Sequence, residues 1–122
     1  MAASLDELVW WARPSAEYCV EWAESQGVRV TVTSVKRTRA RQAALYRRYL
    51  QGKSQFPAAP PGESAHEWGM AWDSVVDEHL ISWWKQVRRI LGWRVPDSDW
   101  IHAVVPEWRL YADQAARLRI RR

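Results

Sequence analysis

Ser64, His66, Gly69, Ala71 and Asp73 stand in the order S-x-H-x-x-G-x-A-x-D. A histidine and a carboxylate are thus held across a glycine and a small residue. A second histidine, His102, follows in Asp99-Trp100-Ile101-His102. Two imidazoles and one carboxylate form a ligand set suited to catalytic zinc, with the fourth position left for water. A nearby carboxylate can take the proton of that water and pass it to a leaving amine. Asp99 is the first candidate for this base, with Asp97 and Glu67 as competitors. Taken singly, His66 reads as a loop histidine and Asp73 as a strand-end residue. The ordered set with His102 reads as a metal centre, and the chain as a small zinc hydrolase. His79, beside Asp77 and Glu78 at a helix start, is a solvated histidine rather than a ligand.

These residues need a scaffold that brings them together. His66 lies after the Pro61-Gly62 turn and before a strand expected over 70–76, from which Asp73 projects. A further strand is expected over 100–105 and carries His102. Positions three apart on a regular strand point to opposite faces. Asp99 therefore joins His102 only from a turn or bulge before that strand, and Pro96-Asp97-Ser98 supplies turn-forming residues. Arg37 follows the first strand in Thr33-Ser34-Val35-Lys36-Arg37. Its planar fork suits a substrate carboxylate or a polarised carbonyl, and the alternative is a surface arginine among others. Ser64 either hydrogen-bonds substrate or shapes its turn.

The remaining elements follow from periodicity and punctuation. Ser4-Leu5-Asp6-Glu7 fits a capping box, predicting a short helix to about Ala12. Pro14 ends it, and Ser15 caps a second helix closed by Gly27. Residues 28–33 alternate apolar and polar with β-branched types, a strand signal. Helical spacing recurs over 39–50, with Gly52 beyond it. A proline-rich ordered loop spans 53–63. Asp77 caps a helix expected over 78–91, and a short last helix with a frayed arginine-rich end follows Pro106. The sum is a single α+β domain over 1–122, a small antiparallel sheet with helices packed on it.

Composition narrows the class further. The 122 residues include ten tryptophans, most of them expected in the core, with Trp68 and Trp72 either in the core or beside the cleft. Cys19 is alone and reads as a buried thiol, so no disulfide scaffold is present. No signal peptide and no membrane-spanning segment are evident. The expected product is made in the cytoplasm and meets its substrate after release. A net charge of +4 favours polyanions such as nucleic acid, anionic lipid or wall polymer without choosing among them. No nucleic-acid motif accompanies the charge.

Together these residues resemble the zinc peptidases of bacterial cell walls. That group includes VanY-type D-alanyl-D-alanine carboxypeptidases, VanX-type dipeptidases and phage L-alanyl-D-glutamate endolysins, which share a fold with the hedgehog signalling domain. Their S-x-x-R, Q-x-x-L-Y, S-x-H-x-x-G-x-A-x-D and E/D-x-x-H segments correspond to residues 34–37, 42–46, 64–73 and 99–102. The resemblance implies zinc on His66, Asp73 and His102, with Asp99 as the catalytic carboxylate. It implies that Arg37 contacts substrate and transition state, that Ser64 is a secondary contact, and that peptidoglycan is the partner of a monomeric enzyme. The usual glycine and aromatic between Ser34 and Arg37 are Val35 and Lys36 here. Aspartate at position 99, where VanX and VanY types carry glutamate, resembles the phage enzymes. The expected activity is therefore an L-alanyl-D-glutamate endopeptidase. The alternatives are a D-alanyl-D-alanine carboxypeptidase or dipeptidase, in which Arg37 or Lys36 holds the free carboxylate, and a non-catalytic wall-binding module.

Overall fold

A computed structural model describes residues 3–121, with side chains as far as Ala116. Helix α1 spans Arg13–Ser25, strand β1 Thr31–Ser34, helix α2 Arg39–Leu50, strand β2 Ala71–Val75, helix α3 Ile81–Ile90, strand β3 His102–Val104 and helix α4 Trp108–Arg121. The strands form one antiparallel sheet in the order β1-β2-β3. This is the α+β arrangement expected from sequence. Among the described residues, no helix is long and apolar enough to cross a membrane.

The two faces of the sheet divide the labour. Trp72 and Ser74 of β2 point into the core, where Trp72 meets Trp84 and Trp93 edge-on at centroid distances of 6.1 and 5.8 Å. The Trp84 indole N–H donates to Ser74 Oγ at 2.9 Å. Ala16, Cys19 and Ala23 line the buried stripe of α1, at spacings that return to one helix face. Ser15 joins α1 to the end of α3, donating to the Leu91 carbonyl and accepting from the Trp93 indole. Aromatic side chains of this size bury roughly 150–250 Å² each. At about 25 cal/mol per Å², each supplies up to roughly 4–6 kcal/mol of transfer free energy. Residues alternate faces along a strand, so Ala71 and Asp73 emerge on the opposite side from Trp72 and Ser74.

Several local expectations are revised. The first helix is only a 3-10 turn over Leu5–Glu7, although Ser4 does cap it. Pro14 starts α1 rather than separating two helices, because proline fits the first helical turn, where its missing N–H has no partner to lose. Strand β1 begins later than expected, at Thr31. Residues 78–80 form a 3-10 turn leading into α3. Helix α4 is longer than expected, and the frayed arginine side chains anticipated from Arg117 onward lie outside the described residues. Cys19 is fully buried, as expected, and burial pushes its thiol up to about 12. Trp72 is core rather than cleft, and Trp68 is half-buried against the core.

Gly69 closes the 3-10 turn Ala65–Trp68 with φ +67°, a conformation that side chains rarely adopt. A Cβ there would lie 2.9 Å from the Glu7 carbonyl oxygen, and the Gly69 carbonyl accepts from the Val9 N–H. The glycine therefore lets the N-terminal segment lie directly on the turn that carries His66. Gly69→Ala should destabilise the domain by about 1–3 kcal/mol, the cost of strain at such a position. Urea denaturation measures this, and a change inside about 0.5 kcal/mol would show that the contact relaxes freely.

Candidate metal centre and active site

Strand pairing places Asp73 directly opposite His102, so their side chains rise from the same face of the sheet. His66 arrives from the turn before β2. Ser64 caps that turn, its Oγ accepting from the His66 N–H, while Glu67 reaches back to accept from the Gly62 and Ser64 N–H groups. Ser64 thus shapes the turn, as one sequence reading held, and is 6% exposed at the cleft. Glu67 is committed to this capping box and does not line the cleft.

The three expected ligands come together. Their donor atoms lie within 4.8 Å of one another. Asp73 Oδ1 is 3.1 Å from His66 Nε2 and 3.1 Å from His102 Nδ1. His66 Nδ1 lies 2.5 Å from the Val35 carbonyl oxygen. A carbonyl can only accept, so the Nδ1 proton is directed there and Nε2 presents its lone pair to Asp73. Two acceptors facing each other at this distance call for a cation between them. Tetrahedral bonds of about 2.0–2.1 Å place neighbouring ligand atoms about 3.3 Å apart. The donor set, its spacing and the tautomer of His66 all fit zinc. The Val35 carbonyl plays the orienting part that metal-bound imidazoles need.

Asp73 is nearly buried, which opposes its ionisation. The adjacent His102 and His66 rings more than offset that and hold the carboxyl well below the usual carboxylate range. Its second oxygen, Oδ2, is taken by Arg37 Nη2 at 2.8 Å. One oxygen is therefore left for a metal. Arg37 is further fixed by Nε donating to Ser34 Oγ at 2.9 Å and Nη1 to Gln42 Oε1 at 3.2 Å. Register makes this possible. Val32 pairs with Ser74 but Ser34 with Asp73, so a bulge at Thr33 brings Ser34 beside the ligand strand. Burial lowers the Arg37 pKa, opposed by Asp73.

In the sequence Arg37 is either a surface arginine or, as the resemblance implies, a contact to substrate and transition state. Its position against Asp73 adds a role in holding a ligand. Arg37→Ala is expected to weaken zinc affinity by about 10–100-fold, the usual effect of losing a partner that orients a ligand. It should lower turnover as well. Competition with a chromophoric chelator reads the affinity, and an unchanged dissociation constant would leave Arg37 as a substrate contact alone.

Asp99 occupies the turn before β3. Its N–H donates to the Pro96 carbonyl at 3.2 Å, and its carbonyl accepts from the His102 N–H at 3.0 Å. This is the turn geometry that joining His102 required. Asp99 lines the cleft, and its Oδ1 is buried without a hydrogen-bond partner. Burial raises its pKa, the His102 charge opposes the rise, and Asp73 adds to it. Asp97, the competitor, is 82% exposed and paired with Lys85 and Arg89. His79 is exposed and lies away from the cleft.

The cleft has a volume of about 590 Å³. It runs from the three ligands along α2 and the proline-rich loop to the start of α4. Tyr49, Phe56 and Trp108 line it. Nothing in their local sequence marks them, because only the packing of three distant segments brings them together.

The profile of the D-alanyl-D-alanine carboxypeptidases (VanY) matches residues 11–95, well over half of the chain. The chain belongs to this family. Arg37, His66 and Asp73 fall inside the matched stretch, and Asp99 and His102 join them through the sheet. The VanY fold also appears among solved structures. The LdcB LD-carboxypeptidase superposes with a TM-score of 0.66 at 18% identity, covering 93% of this chain and 76% of its own. A VanY D,D-pentapeptidase mutant from a VanB-type resistance cassette, in complex with Zn(II), gives 0.64 at 18% identity, covering 87% and 76%. DacB from Streptococcus pneumoniae D39 gives 0.63 at 17% identity, covering 93% and 77%. No curated protein sequence matches the chain. With the family and the ligand cluster both in place, this VanY-family chain is a zinc metallopeptidase.

Proposed function

We propose that this protein is a zinc-dependent carboxypeptidase that removes the terminal D-alanine from peptidoglycan stem peptides ending in D-alanyl-D-alanine. The match to the VanY family across most of the chain carries this reading. It displaces the L-alanyl-D-glutamate endopeptidase expected from the aspartate at position 99. That expectation leaned on the aspartate, and aspartate and glutamate perform the same proton transfer.

Zinc at this centre supplies Lewis-acid polarisation of a carbonyl and acidifies water. His66 and His102 would hold it through ring nitrogens, and Asp73 through the oxygen that Arg37 leaves free. Asp99 accepts the proton of the attacking water and returns it to the leaving amine of D-alanine. Its unpartnered Oδ1 and raised pKa suit a group that must both take and give a proton. Arg37 retains N–H groups beyond those bonded to Ser34, Gln42 and Asp73, and these remain available to stabilise charge developing on a substrate oxygen.

Digestion of purified stem peptides followed by mass analysis tests the reading. The expected product is free D-alanine and a peptide shortened by one residue. A new amine on D-glutamate, with clearing of wall suspensions, would instead restore the phage-like endopeptidase.

A further inference from the structure

We propose that Arg88, buried behind the sheet, is the positioning residue that sets how Asp99 reaches the metal centre. The inference rests on the reading of Asp99 as the proton-transferring base. Arg88 lies on the buried face of α3 with Trp84 and Val87, and its side chain is fully enclosed.

A guanidinium keeps its charge in a protein, and enclosing a charge is costly unless partners offset it. Among the described residues, no acidic side chain forms an ion pair with Arg88. Its donors go to backbone carbonyls instead. Nε donates to the Trp84 carbonyl at 3.2 Å, Nη1 to the Ile101 carbonyl at 3.2 Å, and Nη2 to the Trp100 carbonyl. Its Cζ lies 5.1 Å from the centroid of the Trp84 ring, a cation–π distance. An apolar side chain of similar volume would fill this space without the cost of a buried charge. What the cation adds is a grip on two particular carbonyls, and its planar fork suits that task.

Those carbonyls belong to the two residues between Asp99 and His102. The two ends of that segment are held differently. His102 lies on β3 opposite Asp73, and the Ile101 carbonyl also accepts from the Ser74 N–H at 3.0 Å. The sheet therefore holds the ligand without help from Arg88. Asp99 lies outside the sheet. Its backbone bonds, to Pro96 and His102, tie it only to its own turn and the start of β3. Its Oδ1 has no hydrogen-bond partner. Arg88 grips Trp100, the next residue, and so fastens this turn to α3 from the interior. Lys85 and Arg89 of α3 meet the same turn at Asp97. That carboxylate is exposed, and exposed ion pairs hold geometry weakly.

Kinetics on soluble peptidoglycan stem peptides at saturating zinc test the proposal. Arg88→Met and Arg88→Lys are each made in wild type and in Asp99→Asn. Methionine removes the charge, whereas lysine keeps it but lacks the fork. A misplacement of about 1 Å can cost roughly 10²-fold in rate. Per folded, zinc-loaded molecule, kcat should fall about 100-fold in Arg88→Met and about 10-fold in Arg88→Lys, with KM within about twofold of wild type. In Asp99→Asn neither substitution should lower kcat further, because the group being positioned no longer transfers a proton. Circular dichroism gives the folded fraction, and if Arg88→Met does not fold, Arg88→Lys carries the same comparison. Unchanged kcat in the folded variants, or equal fold losses in both backgrounds, would reduce Arg88 to a structural role. Either result overturns the proposal and leaves the base reading standing. Full activity in Asp99→Asn would overturn the base reading and this proposal together.

Discussion

Asp99→Asn should retain zinc and lose about 10²–10⁴-fold in turnover, the usual contribution of a positioned acid–base group. The amide keeps the shape of the side chain but cannot accept the proton of water. It touches none of the three ligands' contacts, so metal content should stay at the wild-type level. Full activity in Asp99→Asn, with a dead Asp97→Asn, would reverse the assignment. The same substitution carries a stability signature in zinc-free protein. Burial, reinforced by Asp73, raises the Asp99 pKa in the folded state, whereas the unfolded side chain ionises near about 3.9. The folded state therefore binds this proton more tightly. Stability falls as pH rises from the unfolded pKa through the folded one, and the penalty persists at neutral pH. Asp99→Asn removes it. The zinc-free variant should melt at or above wild type at pH 7, and the difference should vanish below about pH 3. A lower melting temperature at neutral pH would show that the carboxylate makes a favourable contact.

His66→Ala should abolish tight zinc binding and hydrolysis together. The residue is 2% exposed and joins two parts of the site. Its Nδ1 faces the Val35 carbonyl after β1, and its Nε2 faces Asp73 on β2. Two remaining ligands do not make a closed zinc site of the usual kind. Because metal binding contributes to folding, wild type should lose thermal stability on chelation, and His66→Ala should show no further loss. Undiminished zinc in the variant, measured by elemental analysis, would contradict the ligand assignment.

The site was more legible in the sequence than its surroundings, for a physical reason. His66, Gly69, Ala71 and Asp73 lie on one turn and one strand, so local geometry alone fixes most of their relation. His102 needed only one strand pairing. Asp99 was legible as a condition, that it sit in a turn, and the Pro96 to His102 hydrogen bonds meet it. Arg37 was only half legible. Its contact with Asp73 depends on the bulge at Thr33, and a one-residue slip in register leaves little trace in composition. Tyr49, Phe56, Arg94 and Trp108 meet at the cleft through tertiary packing, which no local pattern encodes. Trp72, within the motif, was legible only as core or cleft, and strand alternation turns it into the core. At Leu5 the capping signal was real, but it supports a single 3-10 turn. A cap specifies where a helix starts and not how far it runs.

The central claim is that His66, Asp73 and His102 hold one catalytic zinc. Elemental analysis of the purified full chain, paired with release of D-alanine before and after chelation, tests it most directly. One zinc per chain is expected, with D-alanine release lost on chelation and restored by stoichiometric zinc. Hydrolysis that continues at full rate in metal-free protein would contradict it.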